Sequence, residues 1–331
     1  MVMDSKLLNT NRLLLEVDLE PVQGSRFQPT GFPNLGAATF TTPGGRDMLL
    51  VESNQSMANR MEAVCWDTPA GDLVPELHGL PYVLVKGADG GILTNSILES
   101  HRLNSPYILE GADRSFLDAL KSETGTMDFG AVNLREVARV VFKYDPNTLL
   151  HGIFFAKKDL AGGRLRLQRL LSGFIEASDV RPVESGGVKM DSVNPSGDTS
   201  KGFGHVPFHR TEYTAGRVTA YFNLDLASLR GYRLSQEASD LLVTLAMWKI
   251  RRFLSAGLRL RTAADFEPGA LAVKRPQGFA MPEEGELSTT LARQITKCAA
   301  AGVFANPAVT VVNYQEVKQS KAKPVESDEE F

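Results

Sequence analysis

Residues 184–214 limit most strongly what this chain can fold into, because they hold Gly186, Gly187, Pro195, Gly197, Gly202, Gly204 and Pro207. Glycine and proline at that density interrupt helix interiors and central strands alike. Strand-like runs flank the stretch, Phe174–Val180 before it and Val218–Leu226 after it. It is therefore read as a long excursion, and such a loop inside a compact domain is either disordered or functional. Lys189, Lys201, His205, His209 and Arg210 are spread along it.

A second stretch, Val51–Glu62, reads as the first turns of a helix entered from the apolar run Met48–Val51. Ser53 is a good N-cap, since its hydroxyl can accept from the free N–H groups of the first turn. Met57, Met61 and Val64 recur at i, i+4 and i+7, with Ala58 and Cys65 beside them, as one apolar stripe. The other side carries Gln55, Asn59 and Glu62, flanked by Ser56 and Arg60. Uncharged hydrogen-bonding groups around a helix N-terminus suit an anionic oxygen. The plainer reading is a capped surface helix.

The chain of 331 residues is long enough for one large domain or two. No apolar run approaches the roughly 20 residues of a membrane-spanning helix, and Met1–Thr10 lacks a signal-peptide core. Two cysteines, Cys65 and Cys298, are too few for a disulfide framework or a cysteine metal cluster, so a cytoplasmic location is expected. The net charge of −3 does not announce a nucleic-acid binder. Basic residues do crowd locally: Lys157, Lys158, Arg164, Arg166, Arg169 and Arg181 in one segment, and Lys249, Arg251, Arg252, Arg259 and Arg261 in another. Residues 318–331 end in an acidic run and are expected to be a disordered tail, leaving a body compatible with a local basic groove.

Taken in order, Arg12–Leu19 alternates as a first strand. The Gly- and Pro-rich loop Pro21–Pro33 follows, holding Arg26, Phe27 and Phe32; the two rings could stack bases or could pin the loop to the core. Pro81–Lys86 reads as a buried strand, and Ile97–Leu103 and Phe116–Leu120 as short helices. Asn133–Tyr144 reads as a helix ended before Pro146, and Thr148–Ala156 as a buried strand. Arg164, Arg166 and Gln168 alternate with Leu165 and Leu167, which favours a strand over a helix. Ser235 caps a helix through Ser255 with Gly257 as its stop, Leu287–Ala301 is a last helix and Val309–Tyr314 a last strand. Irregular alternation with large insertions and no repeat points to an α+β fold.

The histidines His78, His101, His151, His205 and His209 form no metal-ligand motif, and no GxSxG, P-loop or dinucleotide fingerprint is present. A general acid or base among them stays open. Lys201–Phe208 matches an RNA-recognition signature except where His205 replaces an aromatic residue, but that signature belongs on a central strand, where Pro207 would remove a donor. Its glycines, Phe203 and Phe208, with Lys201 and Arg210, still suit nucleic acid. Asp191 and Asp198 flank the same loop and could assist phosphodiester cleavage, although loop aspartates are commonly just solvated.

Arg26–Phe32, Val51–Glu62 and the pair Gly187–Asp191 and Gly204–Thr214 occur in an order that resembles the CRISPR-associated RAMP backbone subunit of type I-G (formerly I-U) Cascade effector complexes. The resemblance runs from the first strand to the last. It implies an RRM-like (ferredoxin-like) palm over residues 1–317 with large insertions, of which 184–214 would be a thumb-like hairpin. Copies would form a helical filament along a guide RNA (crRNA) within an antiviral surveillance complex that targets DNA. Implied RNA-binding residues are Arg26, Gln28, Ser53, Gln55, Asn59 and Arg60 on the palm, and Lys189, Lys201, Phe203, Phe208, His209 and Arg210 on the thumb. Implied partners are the crRNA, the target DNA strand, further copies of the chain and the other Cascade subunits (the large subunit and the crRNA-end cap or processing subunit). Through the complex, a nuclease-helicase would do the cutting. No catalytic residue, cofactor, metal or membrane partner is expected. A subunit repeated along any guide must hold phosphate and shape and leave sequence to base pairing.

Two rival functions follow from the same residues. One is a metal-dependent ribonuclease cutting target RNA through a thumb aspartate such as Asp191. The other is a sequence-specific RNA-binding regulator that uses Lys201–Phe208.

Overall fold

Alternation along Arg12–Pro21 buries Leu13, Leu15, Val17 and Leu19 and turns Arg12, Glu16 and Asp18 the other way, so this segment forms a strand with one core face. The computed structural model describes residues 5–32 and 35–316. Pro33 and the acidic tail therefore lie outside the described residues.

The strand sits inside an eight-stranded antiparallel sheet. Its spatial order is Leu258–Arg261, Ala264–Arg275, Arg12–Pro21, Arg217–Asp225, Leu171–Ser178, Asp47–Glu52, Gly36–Thr41 and Gly31–Phe32. Arg12–Pro21, Leu171–Ser178, Arg217–Asp225 and Ala264–Arg275, numbered by chain order, lie side by side as fourth, first, third, second. The helix Asn54–Ala63 falls between the first and second of these, and the helix Gln236–Ser255 between the third and fourth. The fold is α+β around this curled sheet. Ile175, Ala177, Ala220, Phe222 and Leu224 complete the buried face, while on the opposite face Phe174 stacks on Tyr221 with ring centroids 4.9 Å apart.

Both capped helices form as their sequences direct. Ser53 Oγ accepts from Ser56 N at 3.3 Å, and Met57, Ala58 and Met61 are buried. Ser235 Oγ accepts from Ala238 N at 3.3 Å, starting a 20-residue helix that packs on Glu284–Ala300. The chain between Ala63 and Leu171 builds a side layer. In it, Val309–Asn313 pairs in parallel with Tyr82–Lys86, and Ile153–Phe155 pairs with Leu165–Leu167.

Two expected elements are different. Thr148–Ala156 is not one strand: Pro146–His151 is helical, and only Ile153–Phe155 is extended. The Asp145 carboxylate caps that helix, accepting from Asn147 N (2.8 Å) and Thr148 N (3.2 Å), with Pro146 in the first turn where its missing N–H costs nothing. Ile97–Leu103 is not a helix: Asn95 Oδ1 accepts the N–H groups of Ile97 and Leu98, and Arg102 adopts φ 52°, leaving only the short 3₁₀ turn Arg102–Asn104. The strand Ala264–Arg275 is absent from the sequence reading, because Pro268 and Gly269 interrupt its pattern.

The excursion is more regular than its composition suggests. Arg181–Lys189 pairs with Val206–Thr214 over the full register Arg181↔Thr214 to Lys189↔Val206, so 184–214 forms the distal part of a two-stranded hairpin. Its tip is organised by Asp191, whose Oδ1 accepts Val193 N and Asn194 N (2.8 and 2.9 Å) and whose Oδ2 accepts Gly204 N (2.8 Å). Gly204, at φ 79°, lies so close to Gly197 that a Cβ would meet the Gly197 carbonyl at 2.5 Å.

Among the described residues, no helix is long and apolar enough to cross a membrane.

Candidate functional site

The hairpin base is tied to the sheet through the 26–28 loop. Phe27 and Tyr213 exchange backbone hydrogen bonds, and the Phe27 ring is buried edge-on against Phe266 at 5.4 Å. Phe27 thus pins the loop, which leaves its neighbours Arg26 and Gln28 at the junction between sheet and hairpin.

Gln28 is the hub of that junction. Its carbonyl accepts Arg261 Nη1 at 3.0 Å, and its side-chain oxygen accepts from Arg210 on the returning hairpin strand. Arg261 also reaches Glu52, a fully buried carboxylate at the end of the strand leading into the Ser53 helix. Arg60 meets the same carboxylate at 3.1 Å and donates to the Leu260 carbonyl at 2.7 Å. Across the junction, Glu212 takes Arg210 (3.6 Å) and Arg26 (3.7 Å). Four guanidinium groups therefore share two carboxylates, and the cluster keeps a positive excess. Burial pulls Arg261 below the usual guanidinium range and Glu52 opposes that. Arg26 is the most exposed of the four, with 58% of its side chain accessible, and so has the freest N–H groups.

Beside this junction, the start of the Ser53 helix presents Gln55 and Asn59, both exposed and joined by a 2.9 Å hydrogen bond across one turn. Arg169 reaches the same end, donating to the Asn54 carbonyl at 2.7 Å and to the Gln55 side-chain oxygen. Ser53 itself is half-buried and engaged as the cap.

The antiparallel register sorts the hairpin side chains. Lys189, Phe208 and Arg210 fall on one face together with Ser185 and Glu212, whereas His209 falls on the other, paired with Glu184 at 2.6 Å. Phe208 is half-exposed and lies over Gly187, where a Cβ would meet the ring at 3.2 Å. Phe203 and Lys201 sit at the tip, and Lys201 lies 3.8 Å from Asp198. Lys201–Phe208 thus spans the tip loop and the start of a hairpin strand, and is not a central strand of the main sheet.

The structure therefore gathers Arg26, Gln28, Arg60 and Arg210 into one network, sets Ser53, Gln55 and Asn59 beside it, and carries Lys189, Lys201, Phe203 and Phe208 outward on the hairpin. His209 faces away from that set. Sequence reasoning missed Glu52, Arg169 and Arg261 as members. Most of the remaining basic crowding is internal: Arg164 donates to the carbonyls of Met127, Asp128, Gly130 and Ala161, Lys157 pairs with Glu110, Arg181 with Asp47, and Arg251 and Arg252 with Glu283 and Glu284. Among the described residues, no three His, Cys, Asp or Glu side chains are grouped to hold a metal ion.

The fold is thus an α+β sheet protein with a hairpin inserted between two central strands and an arginine network at its root. The family model described as CRISPR-associated protein GSU0053 matches residues 13–182, a little more than half of the chain, and the chain belongs to that family. No curated protein matches it. Solved structures with some likeness include a chain of a "CRISPR RNA-guided surveillance complex, pre-nicking", at 13% identity over 88% of this chain and 86% of that one, with a TM-score of 0.42. Csc2 of Thermofilum pendens is another, at 10% identity over 90% and 81%, with a TM-score of 0.30.

Proposed function

We propose that this chain is the crRNA-binding backbone subunit of a type I CRISPR surveillance complex of the I-G kind, several copies of which lie along one guide. The four strands in fourth-first-third-second order, with their two helices, would be the RRM-like palm, and the hairpin the thumb. The observation that carries the reading is the shared root. Gln28 couples Arg210 of the hairpin to Arg261 of the palm, so one hydrogen-bonded network with a net positive charge runs from the Ser53 helix to the hairpin. Such a network suits a repeating phosphate chain, whose binding depends on neutralised phosphates and not on base identity.

The subunit is proposed as non-catalytic and cytoplasmic, with the target DNA strand, the remaining Cascade subunits and a nuclease-helicase as partners in the assembly. Asp191 is read as the organiser of the hairpin tip, since both of its oxygens accept backbone N–H groups. The test is binding of unrelated RNAs of equal length by the wild-type chain and by Arg26→Glu. The reading expects similar affinities across sequences and a uniform loss in the variant, with the salt slope reduced by about 1. Strong preference for one sequence would favour the regulator, and cleavage abolished by Asp191→Ala with binding intact would favour the nuclease.

A further inference from the structure

A cleft of about 520 Å³ opens beyond Gln55, between the turn 100–104 and the ribbon formed by Ile153–Phe155 and Leu165–Leu167. Of its lining residues, only Gln55 and Arg169 belong to the site described above. On the ribbon, Phe154 and Arg166 are direct cross-strand partners, both turned outward, and the Phe154 side chain is half-exposed. Arg166 has no ion-pair or hydrogen-bond partner among the described residues. Arg169, next along, is held only by neutral oxygens, those of Asn54 and Gln55, so its charge has no carboxylate answering it directly.

The inner wall is closed by a buried histidine. His151 lines the cleft and is almost wholly buried, with Nε2 at 2.8 Å from the Lys249 ammonium. That ammonium has only donors to give, so Nε2 accepts, and in the neutral ring the proton sits on Nδ1. Burial, with Lys249 and Arg102 nearby, holds His151 well below the ordinary histidine range, which keeps the ring neutral. Nδ1 is a buried donor with no acceptor in the protein.

We infer that this cleft is a nucleotide subsite: Arg166 and Arg169 take a phosphate, and the exposed Phe154 ring carries a base on its face. An aromatic face beside a free guanidinium fits an unpaired nucleotide and accepts any base, because every base has a π-face. The choice of a nucleotide over a simple anion rests on the nucleic-acid reading above; the cleft itself does not.

The test uses the full chain and two surface variants, Phe154→Ala and Arg166→Ala, with unchanged thermal melting as the control for folding. The probes are adenosine 5′-monophosphate, inorganic phosphate and an unstructured RNA oligomer. The inference expects the monophosphate to bind more tightly than phosphate, Phe154→Ala to erase that difference, and Arg166→Ala to weaken both ligands, with RNA affinity falling roughly tenfold in each variant. If RNA binds the wild type and both variants equally, the subsite is overturned while the backbone reading survives. Monophosphate bound through these residues, with no RNA bound, would uphold the subsite and overturn the backbone reading. A site that holds phosphate and monophosphate alike, indifferent to Phe154, overturns the inference, as does a chain that binds neither.

Discussion

Phe27 and Tyr213 exchange both of their backbone hydrogen bonds, at 2.9 and 2.8 Å, and so join a loop near the start of the chain to the base of a hairpin almost two hundred residues later. With the Phe27 ring buried on Phe266, this bridge fixes where Arg26 and Gln28 stand. Phe27→Ala should cost about 3–5 kcal/mol of stability in denaturant unfolding, from lost transfer energy and the cavity left behind. It should weaken RNA binding more than the stability loss alone explains, and binding measured well below the melting temperature separates the two effects.

The Gln28 hub makes a sharper prediction. Gln28→Ala removes the acceptor for Arg210 while leaving the carbonyl that receives Arg261. Stability should fall by about 1.5–3 kcal/mol, as for one hydrogen bond from a charged group. If the hairpin must be held against the sheet to grip a phosphate chain, the dissociation rate should rise several-fold with little change in association, which stopped-flow binding reads directly.

Glu62 and Arg102 form a buried bidentate pair that fastens the Ser53 helix to the side layer. Arg102→Met would leave a buried carboxylate unpaired and should cost about 3–5 kcal/mol, whereas replacing both partners with apolar residues should cost much less. A double-mutant cycle by urea unfolding measures the coupling.

At the hairpin tip the Asp191 carboxyl is held below its ordinary 3.8 by the backbone N–H groups of Asn194, Gly204 and Val193. A depressed acid stabilises while it is ionised. The tip should therefore keep its order above about pH 4 and lose it as pH falls through the folded-state value, which lies below 3.8. Amide exchange at Val193, Asn194 and Gly204 should show protection that vanishes on acidification, and Asp191→Ala should abolish it at every pH.

What the sequence made legible was local. Ser53 and Ser235 announced their helices because a hydroxyl before an apolar stripe acts within one turn, and Arg12–Leu19 announced its strand by alternation. Asp145-Pro146 carried an equally local signal, but the apolar run after it masked the short helix. The hairpin was hidden for another reason: Gly186 and Gly187 weaken strand character, and the pairing is supplied by partners some twenty residues on. The positive network was least legible. Arg26, Gln28, Arg60 and Arg210 were named, yet Arg261 joins them through the Gln28 carbonyl and through Glu52, which lies buried between it and Arg60, and the neighbouring Arg251 and Arg252 are answered by Glu283 and Glu284 on a different helix. Which basic residues stay free is decided by tertiary acid partners, and one sequence does not display those.

The most direct test of the central claim is to isolate the chain from cells that express it with a guide-RNA array and its companion subunits, and to measure the mass and composition of the particle. The account predicts a discrete RNA of fixed length carrying several copies of this chain, with the copy number rising in steps as the guide is lengthened. A particle with one copy regardless of guide length, or one that assembles on its guide without this chain, would contradict it.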